Sequence, residues 1–484
     1  MNQPGLRNLQ VAIFCLVFCV VTSIGLHAQT FTTLAEFDQT NGAGPSSSLI
    51  QATDGNFYGI TTGGGTYYSG TIFKITPAGV LTTLHNFQGA DGATPLGALV
   101  QASNGNFYGT TSFGGSTPLC PSGCGSVFKM TAKGKLTTLH SFCSQGACAD
   151  GNSPQAGMVQ GTDGSFYGTT IVGGTSGYGT VFKISAAGKL KTLHSFDGTD
   201  GRQPASRLVQ GMDGNFYGTA QYGGTYDAGS IFKISPKGKL KSLYSFCGQA
   251  GCPDGDLPLG ELTQGLGGSF YGTTYIGGTN SSDCGGGCGT VYKITSAGAL
   301  TTIYNFCAEA KCADGYLPQA GLTLGTDGNL YGTNIGGGAT GNGTIFQITP
   351  AGTLTTLHSF DSISYSQGVL IQSTSGPFYG TTVLGGVFGN CTDGCGTVFG
   401  LDTGLGPFVE AVPGAAKAGA NVLILGNNLT GTTAVSFNGM AATFTVVSST
   451  EIKTKVPAGA TTGTVTVTTP SGALKSNVAF RVIR

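Results

Sequence analysis

A tripeptide, Phe/Leu-Tyr-Gly, recurs seven times in this chain, its tyrosine falling at Tyr58, Tyr108, Tyr167, Tyr217, Tyr271, Tyr331 and Tyr379. The intervals are 50, 59, 50, 54, 60 and 48 residues. A period of that length confines the fold to stacked or ringed copies of one unit, since a single copy cannot bury its own apolar face. Three other runs travel with the tripeptide, best seen as Leu-Val-Gln at 99–101, Gly-Thr-Val-Phe-Lys-Ile at 179–184 and Leu-Thr-Thr-Leu-His-Ser-Phe at 354–360. Each is short, β-branched or aromatic, and bounded by Gly, Asp or Pro, which is the pattern of a strand. One unit therefore holds four strands, a to d, at 156–160, 165–170, 180–185 and 189–196 in the third copy. Asp-Gly at Asp54, Asp163, Asp213 and Asp327, with Asn-Gly at Asn104, joins a to b through a turn that tolerates positive φ.

Antiparallel four-stranded units of roughly 50 residues are blades of a β-propeller, and seven lies within the usual range of about four to eight. The repeat region opens with a lone d-like strand at 31–37, and its last copy stops after strand c at 397–401. Pairing these ends closes the ring and hides an edge otherwise open to aggregation. From Gly406 the repeat is lost, and strand signals follow at 421–425, 434–438, 443–447, 451–456, 464–468 and 479–483. The expected fold is all-β: a seven-bladed β-propeller over residues 31–402, then an immunoglobulin-like β-sandwich over 406–484.

Residues 1–28 carry Arg7, an apolar run from 11 to 26 and a small residue, Ala28, at the expected cleavage point, the pattern of a secretory signal peptide. No later apolar run reaches the length of a membrane span, so no membrane partner is expected after cleavage. The chain has 22 basic and 22 acidic side chains, and no basic block occurs. That excludes the electrostatic footprint of a nucleic-acid binder. With 39% hydrophobic residues there is material for packed cores, and the 86 Gly must serve turns. The protein is expected to be secreted or held at the cell surface.

Twelve Cys follow the apolar leader, in six close pairs. Cys120 and Cys124, Cys284 and Cys288, and Cys391 and Cys395 have three residues between them. Cys143 and Cys148, Cys247 and Cys252, and Cys307 and Cys312 have four. An even count in an exported chain reads as disulfides. Repeat intervals without Cys span 48 or 50 residues, the one with a single pair 54, and those with two pairs 59 and 60. Each pair thus accompanies a lengthened loop, b-to-c for the first three and d-to-a for the others. All these loops share one face, and each staple limits unfolded freedom by about 2 kcal/mol on the chain-entropy model.

The unit at 213–246, with Asp-Gly-Asn-Phe-Tyr-Gly-Thr, Gly-Gly-Thr, Ile-Phe-Lys-Ile and a Leu-Tyr-Ser-Phe ending, resembles the bacterial GloVer tandem repeat of choice-of-anchor exported proteins, over about 31–402. The tail, with Val-Leu-Ile-Leu-Gly at 422–426, Val-Ser-Phe-Asn-Gly at 435–439 and Gly-Thr-Val-Thr-Val at 463–467, resembles an IPT/TIG immunoglobulin-like domain, which implies a binding or spacer module. The repeat resemblance implies no settled activity.

Several residue series invite a functional reading. His85, His140, His194 and His358 recur at one position of strand d, with Tyr244 and Tyr304 in other copies. Metal ligation requires convergence, which residues on separate outer strands do not offer. Asp91, Asp150, Asp200, Asp254 and Asp314 precede Gly in d-to-a loops, but calcium wants about six to eight oxygens and these loops offer one carboxylate each, apart from Asp256 near Asp254. A four-thiolate zinc site at Cys120, Cys124, Cys143 and Cys148 competes with disulfides and is disfavoured by export. Arg207 and Glu261 are the charged residues in the strand a register, expected at the channel as an ion pair between adjacent blades. Gln51, Gln101, Gln160, Gln210, Gln264 and Gln372 recur in that strand; an inter-blade hydrogen-bond ring is expected of them, with carbohydrate contacts as the alternative. No catalytic residue, metal or cofactor is assigned. The expected function is non-enzymatic binding or scaffolding of a glycan or protein ligand. The alternative is an extracellular carbohydrate-active enzyme, a lyase or hydrolase, for which a second channel carboxylate and aromatic walls would be needed.

Overall fold

The computed structural model describes residues 29–117, 119–280, 284–386 and 391–483; the expected signal peptide, 1–28, lies outside them. Among the described residues there is no α-helix, only two 3-10 turns, Gly146–Cys148 and Ala310–Cys312. No helix there is long and apolar enough to cross a membrane.

The repeat region forms four-stranded antiparallel sheets in chain order, the first from Ile50–Gln51, Phe57–Thr61, Thr71–Ile75 and Leu81–Asn86. The seventh repeat supplies Ile371–Gln372, Phe378–Thr382 and Thr397–Asp402, and Thr30–Glu36 adds the fourth strand from the other end of the region. That strand pairs antiparallel, with Phe31 opposite Leu401 and Ala35 opposite Val398. Strand a is shorter than its sequence pattern predicts: in the third unit only Val159–Gln160 ladders, not 156–160. The residues just before it turn from the sheet toward a cavity shared by all seven units.

The recurrent tripeptide explains how the sheets stack. Strand b is buried along its whole length, and its Tyr lies against the Phe of the next unit: Tyr58 on Phe107 at 4.3 Å, Tyr108 on Phe166 at 4.0 Å, Tyr167 on Phe216 at 4.0 Å. The series returns to its start, with Tyr379 of the seventh sheet 4.2 Å from Phe57 of the first. Offset aromatic packing of this kind adds to the burial of large rings. Gly completes the tripeptide because a Cβ at Gly59 would collide with Phe73 and Leu49. In the a-to-b turns the other constraint operates, as at Gly214, whose φ is +84°.

The tail folds into two four-stranded sheets and a parallel two-stranded one, Ala415–Lys417 with Arg481–Ile483. One four-stranded sheet contains Glu410–Val412, Asn421–Leu425, Glu451–Lys455 and Phe444–Val446; the other Met440–Ala441, Ala434–Phe437, Val465–Thr469 and Gly472–Lys475. Ile424, Val435, Phe437, Ile452, Val467 and Phe480 share its core. The strands Glu410–Val412 and Gly472–Lys475 carry no alternating pattern long enough to be read from sequence. The tail docks on the a-to-b turns: Phe408 N–H donates to the Thr374 carbonyl at 3.0 Å, and Thr450 Oγ1 to that of Thr53 at 2.9 Å. The b-to-c and d-to-a loops hydrogen-bond to each other on the opposite side, as between Gly65 N–H and the Gln39 carbonyl at 2.8 Å.

Candidate functional site

Seven three-residue segments, 46–48, 96–98, 155–157, 205–207, 259–261, 319–321 and 367–369, line one cavity of about 120 Å³. One segment comes from each unit, so this is the axis of the assembly. Its walls are Gly, Ala, Ser, Gln, Leu and Val, and its charged lining residues are Arg207 and Glu261. The structure thus brings the two together on adjacent units, but not as the expected ion pair: among the described residues no salt bridge joins them. Arg207 donates instead from Nε to the Met158 carbonyl at 3.3 Å. The interval between two neighbouring strands lets the guanidinium reach a backbone acceptor one unit back. Burial pushes the Glu261 carboxyl above its usual range, and Arg207 only opposes that shift.

A third charged group was not legible in the repeat. Glu410 stands at the start of a tail strand with its side chain exposed. The protein around it still pushes its carboxyl up, and Arg207 draws it back. It comes from a different part of the chain, so no register of the repeat points to it.

The Gln series does bridge units. The Thr53 N–H donates to Gln101 Oε1 at 3.0 Å, Thr162 N–H to Gln210 at 3.1 Å, Thr326 N–H to Gln372 at 3.0 Å and Thr374 N–H to Gln51 at 2.9 Å. The last of these crosses from the seventh unit to the first. Gln160 and Gln264 depart from the pattern: the buried Oε1 of Gln160 lacks a partner among the described residues, and Gln264 donates to the Gly268 carbonyl of its own turn at 3.2 Å.

Two series read separately in the sequence prove to be one device. His85 Nε2 meets Asp91 at 2.8 Å, His140 meets Asp150 at 2.9 Å and His194 meets Asp200 at 2.6 Å. Where Tyr replaces His, Tyr244 and Tyr304 donate to Asp254 and Asp314, each at 2.8 Å. His and Tyr interchange because either ring carries a donor to the same carboxylate. Each pair fastens a d-to-a loop to the strand before it. The two series lie apart, one in strand d and one in the loop after it, although five or nine residues separate donor from acceptor throughout.

The six Cys pairs are joined within their own loops. In the b-to-c loops Cys120 bonds Cys124, Cys284 bonds Cys288 and Cys391 bonds Cys395, with Cα separations of 5.3 to 5.6 Å. In the d-to-a loops Cys143 bonds Cys148, Cys247 bonds Cys252 and Cys307 bonds Cys312, with Cα separations of 4.0 to 4.1 Å. The face they occupy also exposes large aromatic side chains: Tyr67, Tyr68, Phe113, Tyr178, Tyr226 and Tyr365, with Tyr68 71% exposed. Sequence reading passed over these because they lie in loops of variable length outside the repeated motifs.

A family of Gloeobacter/Verrucomicrobia repeats matches residues 18–149, 120–309 and 283–445. The chain belongs to that family. No curated protein matches it. Among solved structures, this Gloeobacter/Verrucomicrobia repeat protein is similar to virginiamycin B lyase from Staphylococcus aureus, at 15% identity and TM-score 0.52 over 77% of this chain and 99% of the lyase. It is also similar to a fungal alcohol oxidase of the AA5 family in complex with copper, at 13% identity and TM-score 0.55 over 95% and 100%. At those identities the likeness is one of fold, an all-β propeller-like architecture.

Proposed function

We propose that this repeat protein is an exported, non-enzymatic binding module: a seven-bladed propeller over residues 31–402 and an IPT/TIG-like sandwich over 406–484, presenting its loop face to a glycan. The aromatic side chains on that face carry the reading. Tyr is amphipathic and loses few rotamers on binding, which is why it concentrates at recognition surfaces. A polyhydroxylated ligand suits such a surface: its ring C–H faces pack on aromatic rings, while its hydroxyls reach the phenols and the exposed carboxylates of the same loops, such as Asp197, Asp227 and Glu309. A protein ligand is the second possibility that such a surface admits.

The axial cavity supports binding at the rim over chemistry in the channel. Its 120 Å³ is below the roughly 300–1,000 Å³ of ordinary ligand pockets. Its walls hold no aromatic residue. The tail covers the opposite face and leaves the loop face to partners.

The test is a glycan array probed with the mature chain, run beside a polysaccharide-degradation assay. Binding that falls at least tenfold in Tyr68→Ala or Tyr226→Ala, without product formation, is expected. Turnover of any polysaccharide that disappears in Glu261→Gln would replace this reading with an enzymatic one.

A further inference from the structure

Two couples of Cys pairs meet in space. Cys120, Cys124, Cys143 and Cys148 have all four sulfurs within 4.8 Å of one another, and so do Cys284, Cys288, Cys307 and Cys312. The two groups lie in the second and fifth units and share one spacing: three residues, then eighteen, then four. In each, a b-to-c loop brings one pair against the pair of the following d-to-a loop.

The remaining pairs show what separates a cluster from a staple. In the fourth unit Ala228 takes the place of Cys124 and Cys288: its carbonyl accepts from the Leu257 N–H, as those of Cys124 and Cys288 accept from Ser153 and Leu317. Ala228 packs in the same core as Cys247, so that loop pair faces a methyl group. In the seventh unit Asp38 follows Phe37 where Cys143 follows Phe142, so the disulfide of Cys391 and Cys395 has no second pair opposite.

We propose that each four-sulfur cluster, when its thiols are reduced, binds one soft divalent cation of the zinc class, so that a tetrathiolate centre holds the two loops that disulfides otherwise hold. This inference does not depend on the binding role of the loop face. Tetrathiolate zinc sites favour pairs separated by about two to four residues, as here. With Zn–S near 2.3 Å the sulfurs of a tetrahedron lie about 3.8 Å apart, within small rearrangement of the observed grouping. Both clusters are half-buried, which excludes competing water from part of the coordination sphere. The balance is simple. A dithiol or phosphine reductant gives each disulfide two electrons, and two protons complete two thiols. The cation then displaces the four protons of a cluster, leaving a centre of net charge −2.

The experiment uses the full mature chain, reduced by a phosphine without oxygen and titrated with Co²⁺ as the spectroscopic probe. Expected are two Co²⁺ per chain, with thiolate charge-transfer and tetrahedral ligand-field bands that Zn²⁺ abolishes. Cys124→Ser and Cys288→Ser each remove one equivalent, whereas Cys252→Ser and Cys395→Ser remove none. Fewer than two equivalents in the parent chain, or a stoichiometry indifferent to Cys124→Ser and Cys288→Ser, overturns the proposal. A measurement independent of the variants is thermal unfolding of the reduced chain. Its midpoint rises with Zn²⁺ and not with Mg²⁺, and equal midpoints in the two metals overturn the proposal too.

Discussion

Phe31 and His358 stack face to face, their ring centroids 3.8 Å apart and their planes 6° from parallel. Phe31 belongs to the strand that comes from the start of the repeat region; His358 belongs to the last strand of the sixth sheet. The stack therefore pins that strand against its neighbour, and it uses a recurrent His that, unlike His85, His140 and His194, makes no hydrogen bond to a loop carboxylate among the described residues. Burial lowers the His358 pKa, with Asp361 opposing. The folded state prefers the neutral ring, so its contribution is present above the unfolded value of about 6.5 and is lost as pH falls below it. The denaturation midpoint is expected to drop between pH 7 and pH 5. His358→Phe keeps the stack and flattens that part of the pH dependence; an unchanged profile would reject the assignment.

A second acid transition lies lower. The Asp213 carboxyl is raised by burial, but hydrogen bonds from Lys233, Asn215 and Tyr217 outweigh this and lower its pKa to about 2. The stabilising effect is complete above the unfolded value of about 3.9 and disappears as pH falls through the folded value. Asp213→Asn should lose stability at pH 7 and lose less of it on going from pH 4 to pH 2. Equilibrium unfolding at these pH values checks the sign.

The tripeptide stack makes a size prediction. Tyr167 is buried between sheets against Phe216, and its hydroxyl donates to Asp163 at 2.8 Å. Tyr167→Ala is expected to cost about 3–5 kcal/mol, as for other large buried aromatics. Tyr167→Phe removes only the hydrogen bond and should cost about 1 kcal/mol. Comparable losses in chemical denaturation would show that the hydroxyl, not the ring, matters.

This stack also marks how far the sequence could be read. Strand content and closure were legible because β-branched runs and turn residues repeat at nearly fixed spacing, and because one end of the repeat region lacks the strand that the other end supplies. What Tyr167 touches was not, since period alone says nothing of which face meets the next copy. The His–Asp pairs were hidden because a strand pattern does not tell how the loop after it folds back. Glu410 was invisible for another reason: it enters from a tail whose short first strand has no pattern, and only docking brings its charge toward Arg207.

Reduction should separate loops from sheets. Each Cys pair closes a loop of a few residues outside the strands, while the sheets are held by buried aromatic cores. Reduced protein without metal is expected to keep its far-ultraviolet circular dichroism and to become sensitive to proteases near 120–124 and 143–148. Free thiols at Cys143 and Cys148 in unreduced protein, found by mass spectrometry, would remove the staples.

The axial charges give the sharpest test of the tail's docking. Arg207 draws down two carboxyls that the surrounding protein pushes up, Glu261 in the repeat and Glu410 in the tail. A carboxyl with a raised folded pKa binds its proton more tightly in the folded state, so its contribution is full below the unfolded value and is lost as pH rises. Removing Arg207 leaves this effect unopposed. Arg207→Met should therefore unfold more easily than the parent at pH 7, with a smaller difference at pH 4. Adding Glu261→Gln should recover part of the loss, and adding Glu410→Gln should recover another, smaller part, because water reaches that side chain and screens it. If Glu410→Gln restores nothing while Glu261→Gln does, the tail carboxylate does not feel Arg207. A double-mutant cycle on each pair separates these couplings from general damage, because residues without a shared partner add within about 0.5 kcal/mol.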